Sequence, residues 1–485
     1  MKNTTLFRWI IMSIMVALLA WFIIQKYCKP RCRNAYPTHK ICQGLDTIFM
    51  KHDSVTRLVP LVIRCNEVIL NPGVQNAAEL RSYLKRLCFE KRDSCHCGPH
   101  FELWVNPDVN GIDVGVVVSG APKIGGVGLG LLPNVVLSLP EPIDTMVKDT
   151  LPFHENLAIN CLYAELPPVQ IGIVDSGVDP SSDPAINGLH AMEWHGYNLF
   201  DRCIQNVYPL GVECLSGRNN LSPVDSNGHG TSVNAVLVGA SHPNFNMKIP
   251  LNFVNVDVMK GHTKSGTLYD ALCGLYYALE QEVKIINVSW GFRCLNTLKH
   301  KDIFTAVEHA FNKFLTDANH HNNSVLVIAG AGNDGNYLTD YDYFFPASLA
   351  CCHDNLISVG SLDKSVNIEY ADFSNYAKLS KNFITLLAPG DEVITVYPKY
   401  LQSLAGFSTP TGYAMVSGTS FAAPYISRVS AMIRAIHPSK TAAEVKLKLI
   451  DLSKIESSGL RSVDFRVIDF KGFGTKVCDP LVVPL

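Results

Sequence analysis

The sequence predicts an α/β protein in which helices cover both faces of a mostly parallel sheet. A continuous apolar run at 169–174 is typical of a strand that is buried on both faces, and 284–289 and 324–328 are predicted to be two further strands. Between them, apolar side chains recur at helical spacing over 267–280 and again over 303–315. Strands that alternate with helices in this way favour a parallel sheet with two covered faces.

Size and composition describe a globular protein. The 485 residues are enough for a large core and one or two smaller units, with 47% hydrophobic and 17% charged residues. The net charge is −2 and no basic stripe with interleaved aromatics is present, so a nucleic-acid partner is not expected. Fifteen cysteines, among them Cys273, Cys351 and Cys352 in predicted core segments, leave the redox compartment open. Cys95 and Cys97 lack a second pair at zinc-finger spacing, so no metal site is predicted.

An apolar segment near the N-terminus has the length of a membrane span. Residues 6–24 are apolar apart from one arginine and one serine, and a helix needs roughly 20 residues to cross a bilayer. No small-residue cleavage site ends the run, since Ala20 is followed by Trp21. We therefore expect an uncleaved signal-anchor over 1–26 and a linker over 27–52. Basic residues on both sides leave the membrane orientation ambiguous.

A small α+β domain is predicted over 53–149. An apolar run at 57–64 and an alternating run at 101–105 indicate strands, and 77–87 has the pattern of an amphipathic helix. The glycine-rich stretch at 125–130 lacks the following helix and the acidic residue of a dinucleotide site, and is predicted to be a loop. Whether this domain is a pro-domain or a docking module stays open.

Two polar residues stand where a catalytic pair would be expected. Asp175 directly follows the first buried strand, and ligands bind at the carboxyl ends of parallel strands. The alternative for an Asp-Ser-Gly sequence is an ordinary turn. His229 lies between two glycines at the head of an apolar segment and is followed by threonine. A lone histidine is more often structural, but this setting makes His229 a candidate general base.

Asn333 and Ser420 are the next candidates along the chain. Glycines around Asn333 suit close backbone approach and would aim its amide at a substrate, although a left-handed turn residue is a close alternative. Ser420 lies in Gly-Thr-Ser-Phe-Ala-Ala-Pro before a long apolar segment. Since proline is tolerated in the first helical turn, Pro424 predicts that Ser420 begins a buried helix. There it would suit a nucleophile whose attack creates an oxyanion, or else be a simple N-cap.

In chain order, the segments around Asp175, His229, Asn333 and Ser420 resemble the signature blocks of the subtilisin-like (subtilase) serine proteases. The order Asp, His, Ser is that of subtilisin. The resemblance covers roughly residues 167–450. The Gly-Thr-Ser-Phe-Ala-Ala-Pro block is strong by itself, whereas Asp-Ser-Gly or Gly-His-Gly-Thr alone would be weak. The resemblance implies a subtilisin-like fold.

The same resemblance implies a chemical role for each residue. Ser420 would attack the scissile carbonyl, and His229 would take its proton and later give it to the leaving amine. Asp175 would hold the histidine tautomer, and the Asn333 amide with the Ser420 backbone N–H would form the oxyanion hole. No metal or organic cofactor is expected. Structural calcium is common in the family, but no acidic cluster matches its sites.

Polypeptide substrates are the expected partners, and the resemblance implies which residues contact them. Six are expected on the substrate side of the site, namely Ser289, Trp290, Gly291, Ala329, Gly330 and Phe344. The first three would pair with the substrate backbone as with an added strand. Many relatives carry glycine in the place of Phe344. Its bulk would shorten the S1 pocket and favour small P1 side chains.

The predicted architecture is a catalytic domain over 165–452 followed by an extension, 453–485, without an interpretable motif. We expect a single-pass membrane protein whose catalytic domain lies outside the cytoplasm. The main hypothesis is an active, membrane-anchored serine endopeptidase, and the alternative is a catalytically silent scaffold with the same fold. All four reacting groups are present, which favours the enzyme. An α/β-hydrolase is excluded because Ser420 lacks the Gly-x-Ser-x-Gly elbow.

Overall fold

The structure is a computed structural model that describes most of the chain between residues 46 and 468. The described ranges are 46–51, 58–95, 97–107, 114–123, 130–138, 168–178, 225, 227–238, 251–259, 265–297, 301–321, 324–364, 368–404 and 413–468. The membrane helix expected over 1–26 lies outside them, as does most of the glycine-rich loop. Among the helices in these ranges, none is long and apolar enough to cross a bilayer.

An N-terminal unit combines an antiparallel sheet with two helices. Its elements are β1 (Asp46–Lys51), β2 (Leu58–Leu70), α1 (Ala77–Arg86), β3 (Glu90–Ser94), β4 (Glu102–Val105), α2 (Val114–Ser119) and β5 (Leu131–Ser138). The sheet has the order β3-β4-β2-β5, and β1 pairs with β2. From β2 to β5 the chain follows a β-α-β-β-α-β arrangement. The helix predicted at 77–87 and the strand predicted at 101–105 are confirmed.

The linker expected over 27–52 differs from the structure at its C-terminal end. Residues Asp46–Lys51 form β1, which pairs antiparallel with β2 along its whole length. The run Thr-Ile-Phe within β1 is β-branched or aromatic, and such residues fit a pleated sheet. The basic residues earlier in the segment hide this short strand when only composition is considered.

The larger unit is built on an eight-stranded sheet. The strands that follow along the chain are β6 (Val169–Asp175), β7 (Leu251–Asp257), β8 (Ser265–Thr267), β9 (Ile285–Val288), β10 (Phe292–Leu295), β11 (Leu326–Gly330), β12 (Asp342–Phe345), β13 (Leu356–Leu362), β14 (Leu386–Pro389), β15 (Val393–Val396), β16 (Tyr413–Val416), β17 (Ser453–Ser458) and β18 (Val463–Ile468). The large sheet has the order β17-β18-β14-β13-β11-β9-β6-β7. Its neighbouring strands are parallel except for the β17–β18 pair, which confirms the predicted mostly parallel sheet.

Helices cover both faces of this sheet. They are α3 (His229–Val238), α4 (Leu268–Glu280), α5 (Lys301–His320), α6 (Lys399–Leu404), α7 (Thr419–Ile436) and α8 (Ala442–Asp451). Successive strand residues point to opposite faces. Ile173 and Ile285 therefore join a core with α3, α7 and α8, whereas Val174 and Ile286 join a core with α4, α5 and the N-terminal unit. Burial on both faces explains why these strands are mostly apolar.

The helix boundaries follow local signals in the sequence. The Thr267 side chain accepts the N–H of Asp270 and caps α4. Thr441 and Glu444 form a reciprocal capping box at the start of α8. Helix α5 is longer than the predicted segment 303–315, because its first and last turns are mostly polar and carry a weaker periodic signal.

The sheet continues beyond the expected end of the catalytic domain at 452. Strands β17 and β18, which lie in the expected extension 453–485, form a hairpin that completes the sheet. Val467 pairs with Leu387 of β14 in parallel. Val463 and Phe465 are buried and the residues between and after them are more exposed, an alternation that marks a half-buried strand. The fold of the larger unit thus extends at least to Ile468.

Candidate active site

Asp175 and His229 form a close, buried pair at the carboxyl end of β6. The Asp175 side chain is fully buried, and its Oδ1 lies 2.7 Å from Nδ1 of His229. The same oxygen accepts the backbone N–H of Ser176 at 2.8 Å. Asp175 thus stands at the strand end where the sequence placed it. Since a carboxylate oxygen only accepts, Nδ1 of His229 carries the proton and the neutral ring has its lone pair on Nε2.

Two glycines allow the helix that carries His229 to approach the Asp175 turn. His229 is the first residue of α3. A Cβ on Gly230 would lie 2.1 Å from the carbonyl oxygen of Gly177, so any other residue would push the helix away. Gly228 has a φ of +88°, a conformation that other residues rarely adopt, and the Tyr397 ring covers it. The glycines on both sides of His229 therefore have a steric reason.

The second ring nitrogen of His229 is available. Nε2 is buried and has no hydrogen-bond partner among the described residues. The ring packs against Phe421 with centroids 5.3 Å apart, which places it beside the start of α7. A buried imidazole with a fixed tautomer and an open lone pair has the properties of a general base.

Ser420 lies at the N-terminal end of α7, one residue after Thr419. Its Oγ donates to the backbone carbonyl of Ser289 at 2.8 Å. In this rotamer the hydroxyl is hydrogen-bonded to the loop that follows β9 and not to His229. Hydrogen bonds between catalytic groups are often loose in ligand-free sites and tighten only when substrate binds.

Pro424 is not in the first turn of the helix, as the sequence suggested, but inside α7. There it lacks the N–H that the carbonyl of Ser420 would accept. The Ser289 hydroxyl donates to that carbonyl at 2.7 Å and replaces the missing bond. Proline is tolerated at this position because a side chain from outside the helix satisfies the acceptor.

The amide of Asn333 is oriented by the start of α7. Its Oδ1 accepts the backbone N–H of Thr419 at 2.8 Å and the Thr419 hydroxyl at 2.9 Å. With the oxygen so held, the Nδ2 donors of this half-buried side chain point away from Thr419. The alternative of a left-handed turn residue is wrong, because the positive φ values in this loop, +98° and +61°, belong to Gly332 and Gly335 and not to Asn333.

Sequence reasoning missed Asp225, a fully buried carboxylate four residues before His229. It accepts hydrogen bonds from one hydroxyl and several backbone amides, namely those of Ser176, Asn227, Gly228 and Thr231. These bonds fasten the N-terminus of α3 to the residue after Asp175. Burial raises the pKa of Asp225 to about 6, and the hydrogen bonds from Thr231 and Gly228 oppose the rise. Its position just before a Gly-His-Gly motif was the available signal.

The expected substrate-side residues are mostly buried. Gly330 is in contact with Thr419, since a Cβ there would lie 3.1 Å from its Oγ1. Trp290 is 3% exposed and its Nε1 donates to Val174 at 2.7 Å, so its side chain belongs to the core. Ala329 is also buried, within β11. Of these side chains and that of Ser289, none reaches far into solvent.

Phe344 is a partly buried residue whose ring packs against two loops. Its ring lies against two glycines: a Cβ on Gly291 would come within 2.3 Å of the ring, and one on Gly332 within 2.7 Å. Phe344 is on β12, which pairs with β10, the strand that begins directly after Gly291. The ring therefore occupies the space between the loop after β9 and the loop after β11.

No metal centre accompanies these groups in the part of the chain that the structure describes. There, no group of three or more His, Cys, Asp or Glu side chains is placed to hold a metal ion.

A parallel sheet with a buried Asp–His pair and a helix-borne serine at its carboxyl edge defines the serine hydrolase class. Comparison with known proteins specifies the family. The sequence model of the subtilase family matches residues 168–466, and the chain belongs to this family.

Curated relatives resemble the same half of the chain. It is 28% identical over 277 residues to the thermophilic serine proteinase of Bacillus sp. (strain AK1), covering 54% of this chain and 51% of the relative. It is 25% identical to thermitase of Thermoactinomyces vulgaris, covering 56% of this chain and 86% of thermitase. The chain thus spans about half the length of the Bacillus proteinase. A crystal structure of a cold adapted subtilisin-like serine proteinase aligns with a TM-score of 0.42 at 20% identity, over 66% of this chain and 93% of that one.

Proposed function

We propose that the protein is a serine endopeptidase that cleaves polypeptides through an acyl-enzyme intermediate. Ser420 is the nucleophile, His229 the general base and then acid, and Asp175 the group that orients His229. The observation that carries this proposal is the 2.7 Å contact between Asp175 and Nδ1 of His229 in a buried site, with Nε2 left open beside the start of α7. Membership in the subtilase family supports the same chemistry.

The resting rotamer of Ser420 suggests how the reaction begins. Its hydroxyl is hydrogen-bonded to the carbonyl of Ser289. Rotation about χ1 would release that carbonyl and turn Oγ towards Nε2 of His229. The released carbonyl belongs to the segment 289–291, which we propose as an edge for the substrate backbone. A substrate N–H and the resting Ser420 hydroxyl would then compete for the same carbonyl acceptor, so substrate binding would favour release and activation of the nucleophile.

The oxyanion of the tetrahedral intermediate would lie between two donors. One is Nδ2 of Asn333, whose oxygen is held by Thr419. The other is the backbone N–H of Ser420, at the positive end of the α7 dipole. Both donors are fixed before the reaction starts, which is the condition under which such donors accelerate acyl transfer most.

The expected specificity and location are part of the proposal. Phe344 between Gly291 and Gly332 supports a short S1 pocket and a preference for small P1 side chains. The Cys95–Cys273 disulfide supports an oxidising compartment, which agrees with a catalytic unit outside the cytoplasm. Anchoring by residues 6–24 stays a proposal that rests on their apolar sequence.

A fluorophosphonate probe tests the proposal directly. We expect labelling of the wild type at Ser420 and none of Ser420→Ala. Ser430→Ala is the matched control, because Ser430 lies on the same helix and donates to the carbonyl of Ile426, away from the site. Folded wild-type protein that resists labelling, and that cleaves no peptide from a mixed library, would support the silent scaffold instead.

A further inference from the structure

A disulfide joins the N-terminal unit to the larger unit, which carries Asp175, His229 and Ser420 and is called the catalytic unit below. Cys95, which follows β3, is bonded to Cys273 in the middle of α4, and the two residues are 178 positions apart in sequence. Their Cα atoms are 5.7 Å apart, and both side chains are almost completely buried. The bond therefore crosses the boundary between two units whose chain connection runs through residues 139–167.

The two units also share a sheet. Strand β5 pairs antiparallel with β8 of the catalytic unit, with Leu137 opposite Gly266. Directly after β8, the backbone N–H of Tyr269 donates to Oδ1 of Asn134 at 3.0 Å. An asparagine of the N-terminal unit thus satisfies one of the free amides at the start of α4.

Polar and aromatic contacts extend this interface along α4 and α5. The N–H of Gly98 donates to Glu280 at 2.7 Å, and Lys123 forms an ion pair with Asp302 at 3.1 Å. Gly98 is so close to α4 that a Cβ on it would lie 2.3 Å from the Tyr276 ring. Side chains of both units belong to one hydrophobic core. Such an interface resembles a domain core rather than a transient contact.

The interface lies next to the catalytic centre. A Cβ on Gly266 would come within 2.3 Å of the carbonyl oxygen of Val258. The N–H of Val258 in turn donates to the backbone carbonyl of Asp175 at 2.7 Å. Strand β8 pairs with β5 on one side. On the other side, only the backbone at Val258 lies between β8 and Asp175.

We propose that residues 46–138 are a resident regulatory domain, which the Cys95–Cys273 disulfide keeps on the catalytic unit even after the connecting chain is cut. Occupation of the β8 edge limits the approach of polypeptides that bind as added strands. The regulatory part of this proposal rests on the protease function proposed above, whereas the covalent attachment does not. The sequence left open whether this unit is a pro-domain or a docking module, and the disulfide distinguishes it from a module that cleavage releases.

Release of the domain then needs two chemical events instead of one. Hydrolysis of one peptide bond within 139–167 leaves two fragments joined through Cys95 and Cys273. Separation also requires a two-electron reduction by a dithiol: the S–S bond is broken, Cys95 and Cys273 become thiols, and the dithiol becomes a cyclic disulfide. While the bond is intact, the tether keeps the domain at an effective concentration on the order of millimolar, whatever the protein concentration.

The covalent part is tested with a site for an unrelated, sequence-specific protease placed at 150–156 in Ser420→Ala protein, so that self-cleavage plays no part. After cutting, we expect one band on a non-reducing denaturing gel and two after reduction. In peptide maps of the cut, unreduced proteins, the linked Cys95–Cys273 peptides should be absent from Cys95→Ser and Cys273→Ser and present in Cys352→Ser, which changes an exposed free cysteine. Two bands from the unreduced parent, or a peptide map of the unreduced parent that lacks the Cys95–Cys273 link, would overturn the assignment.

The regulatory part is tested with the same cut site in protein that retains Ser420, by diluting cut samples from micromolar to nanomolar concentration. In Cys95→Ser protein whose two fragments run separately on a non-reducing gel, dilution should dissociate the domain, and activity per molecule on a peptide substrate should rise by about tenfold or more. The cut parent should not change until dithiothreitol is added under conditions that open the interface. A diluted variant that gains nothing, or loses activity, would show that the domain does not restrain the site. If the serine variants fail to fold, reduced and alkylated parent protein supplies the same comparison.

Discussion

Ser289 and Ser420 exchange two hydrogen bonds at the carboxyl edge of the central sheet. The Ser289 hydroxyl donates to the Ser420 carbonyl at 2.7 Å, and the Ser420 hydroxyl donates to the Ser289 carbonyl at 2.8 Å. The first bond replaces the helical bond that Pro424 cannot make, so it is structural. The second engages the proposed nucleophile, so it belongs to the resting state of the site. The two bonds therefore predict separable effects.

Removing the Ser289 hydroxyl should destabilise the protein, and the loss of stability should be larger when residue 424 is proline than when it is alanine. In Ser289→Ala the buried carbonyl of Ser420 loses its partner, which costs about 1–3 kcal/mol of unfolding free energy. Pro424→Ala restores an N–H within the helix, so Ser289→Ala should cost less in that background. A double-mutant cycle by urea unfolding, carried out in Ser420→Ala protein to prevent self-digestion, measures the coupling. Additive effects would mean that Ser289 does not replace the helical bond.

Asn333 should matter for rate through its donor and for stability through its acceptor. Subtilisin is the standard example of an oxyanion-hole donor supplied by an asparagine, and loss of that donor lowers its kcat by about 10²–10³-fold. We expect a loss of the same size for Asn333→Ala. Asn333→Asp keeps an oxygen for the Thr419 N–H and removes the donor. It should therefore keep most of the stability and lose the rate. Measurement of kcat together with thermal unfolding separates the two roles, and equal rates for both variants and the wild type would remove Asn333 from the oxyanion hole.

Most of the site was predictable because each residue lies within a short motif with a steric reason. The glycines around His229 are needed for contact with the Asp175 turn, and the strand before Asp175 is buried on both faces. Asp225 was missed because an aspartate before a turn is common, and only the fold shows that it bonds to Ser176 across a distance of 49 positions. Long-range partners of this kind leave no local pattern.

The parts of the fold that differed from expectation depend on contacts distant in sequence. Pro424 was placed in the first helical turn because the sequence does not show that Ser289 satisfies the carbonyl it leaves free. Likewise, β18 pairs with β14, and the hairpin with β17 is amphipathic and carries no motif. Such a strand at a sheet edge can be identified from the strand it pairs with, but not from its own sequence.

Asp225 should give the protein a pH-dependent stability of known sign. Burial raises its pKa in the folded state from 3.8 to about 6. The folded protein then binds the proton more tightly than the unfolded chain, so this contribution to stability is full below about pH 4 and is lost as the pH rises through 6. The loss is about 3 kcal/mol for two pKa units. In Ser420→Ala protein, the unfolding free energy relative to Asp225→Asn should fall between pH 4 and pH 7, and a constant difference would contradict the assignment.

The same carboxylate should act on the rate as a positioning group for His229. Asn at position 225 cannot accept all the amide bonds that fasten α3, so we expect Asp225→Asn to lower kcat by about tenfold at pH 8, with little change in KM. Protonation of Asp225 in the wild type mimics the variant. The ratio of the two kcat values, variant against wild type at the same pH, should therefore move towards one as the pH falls through about 6. A ratio that is independent of pH would leave Asp225 with a structural role only.

Phe344 should determine the size of the P1 side chain that the enzyme accepts. Its ring occupies the space beside Gly291 and Gly332, so Phe344→Gly opens a cavity there. We expect kcat/KM for peptides with Phe or Leu at P1 to rise by about tenfold relative to Ala at P1, since one or two buried methylenes are worth about that factor. Tyr341→Gly, at an exposed residue of the same region, is the control for loosening of the loop. If both variants broaden the preference equally, flexibility rather than the lost ring is responsible, and if neither does, Phe344 does not line the pocket.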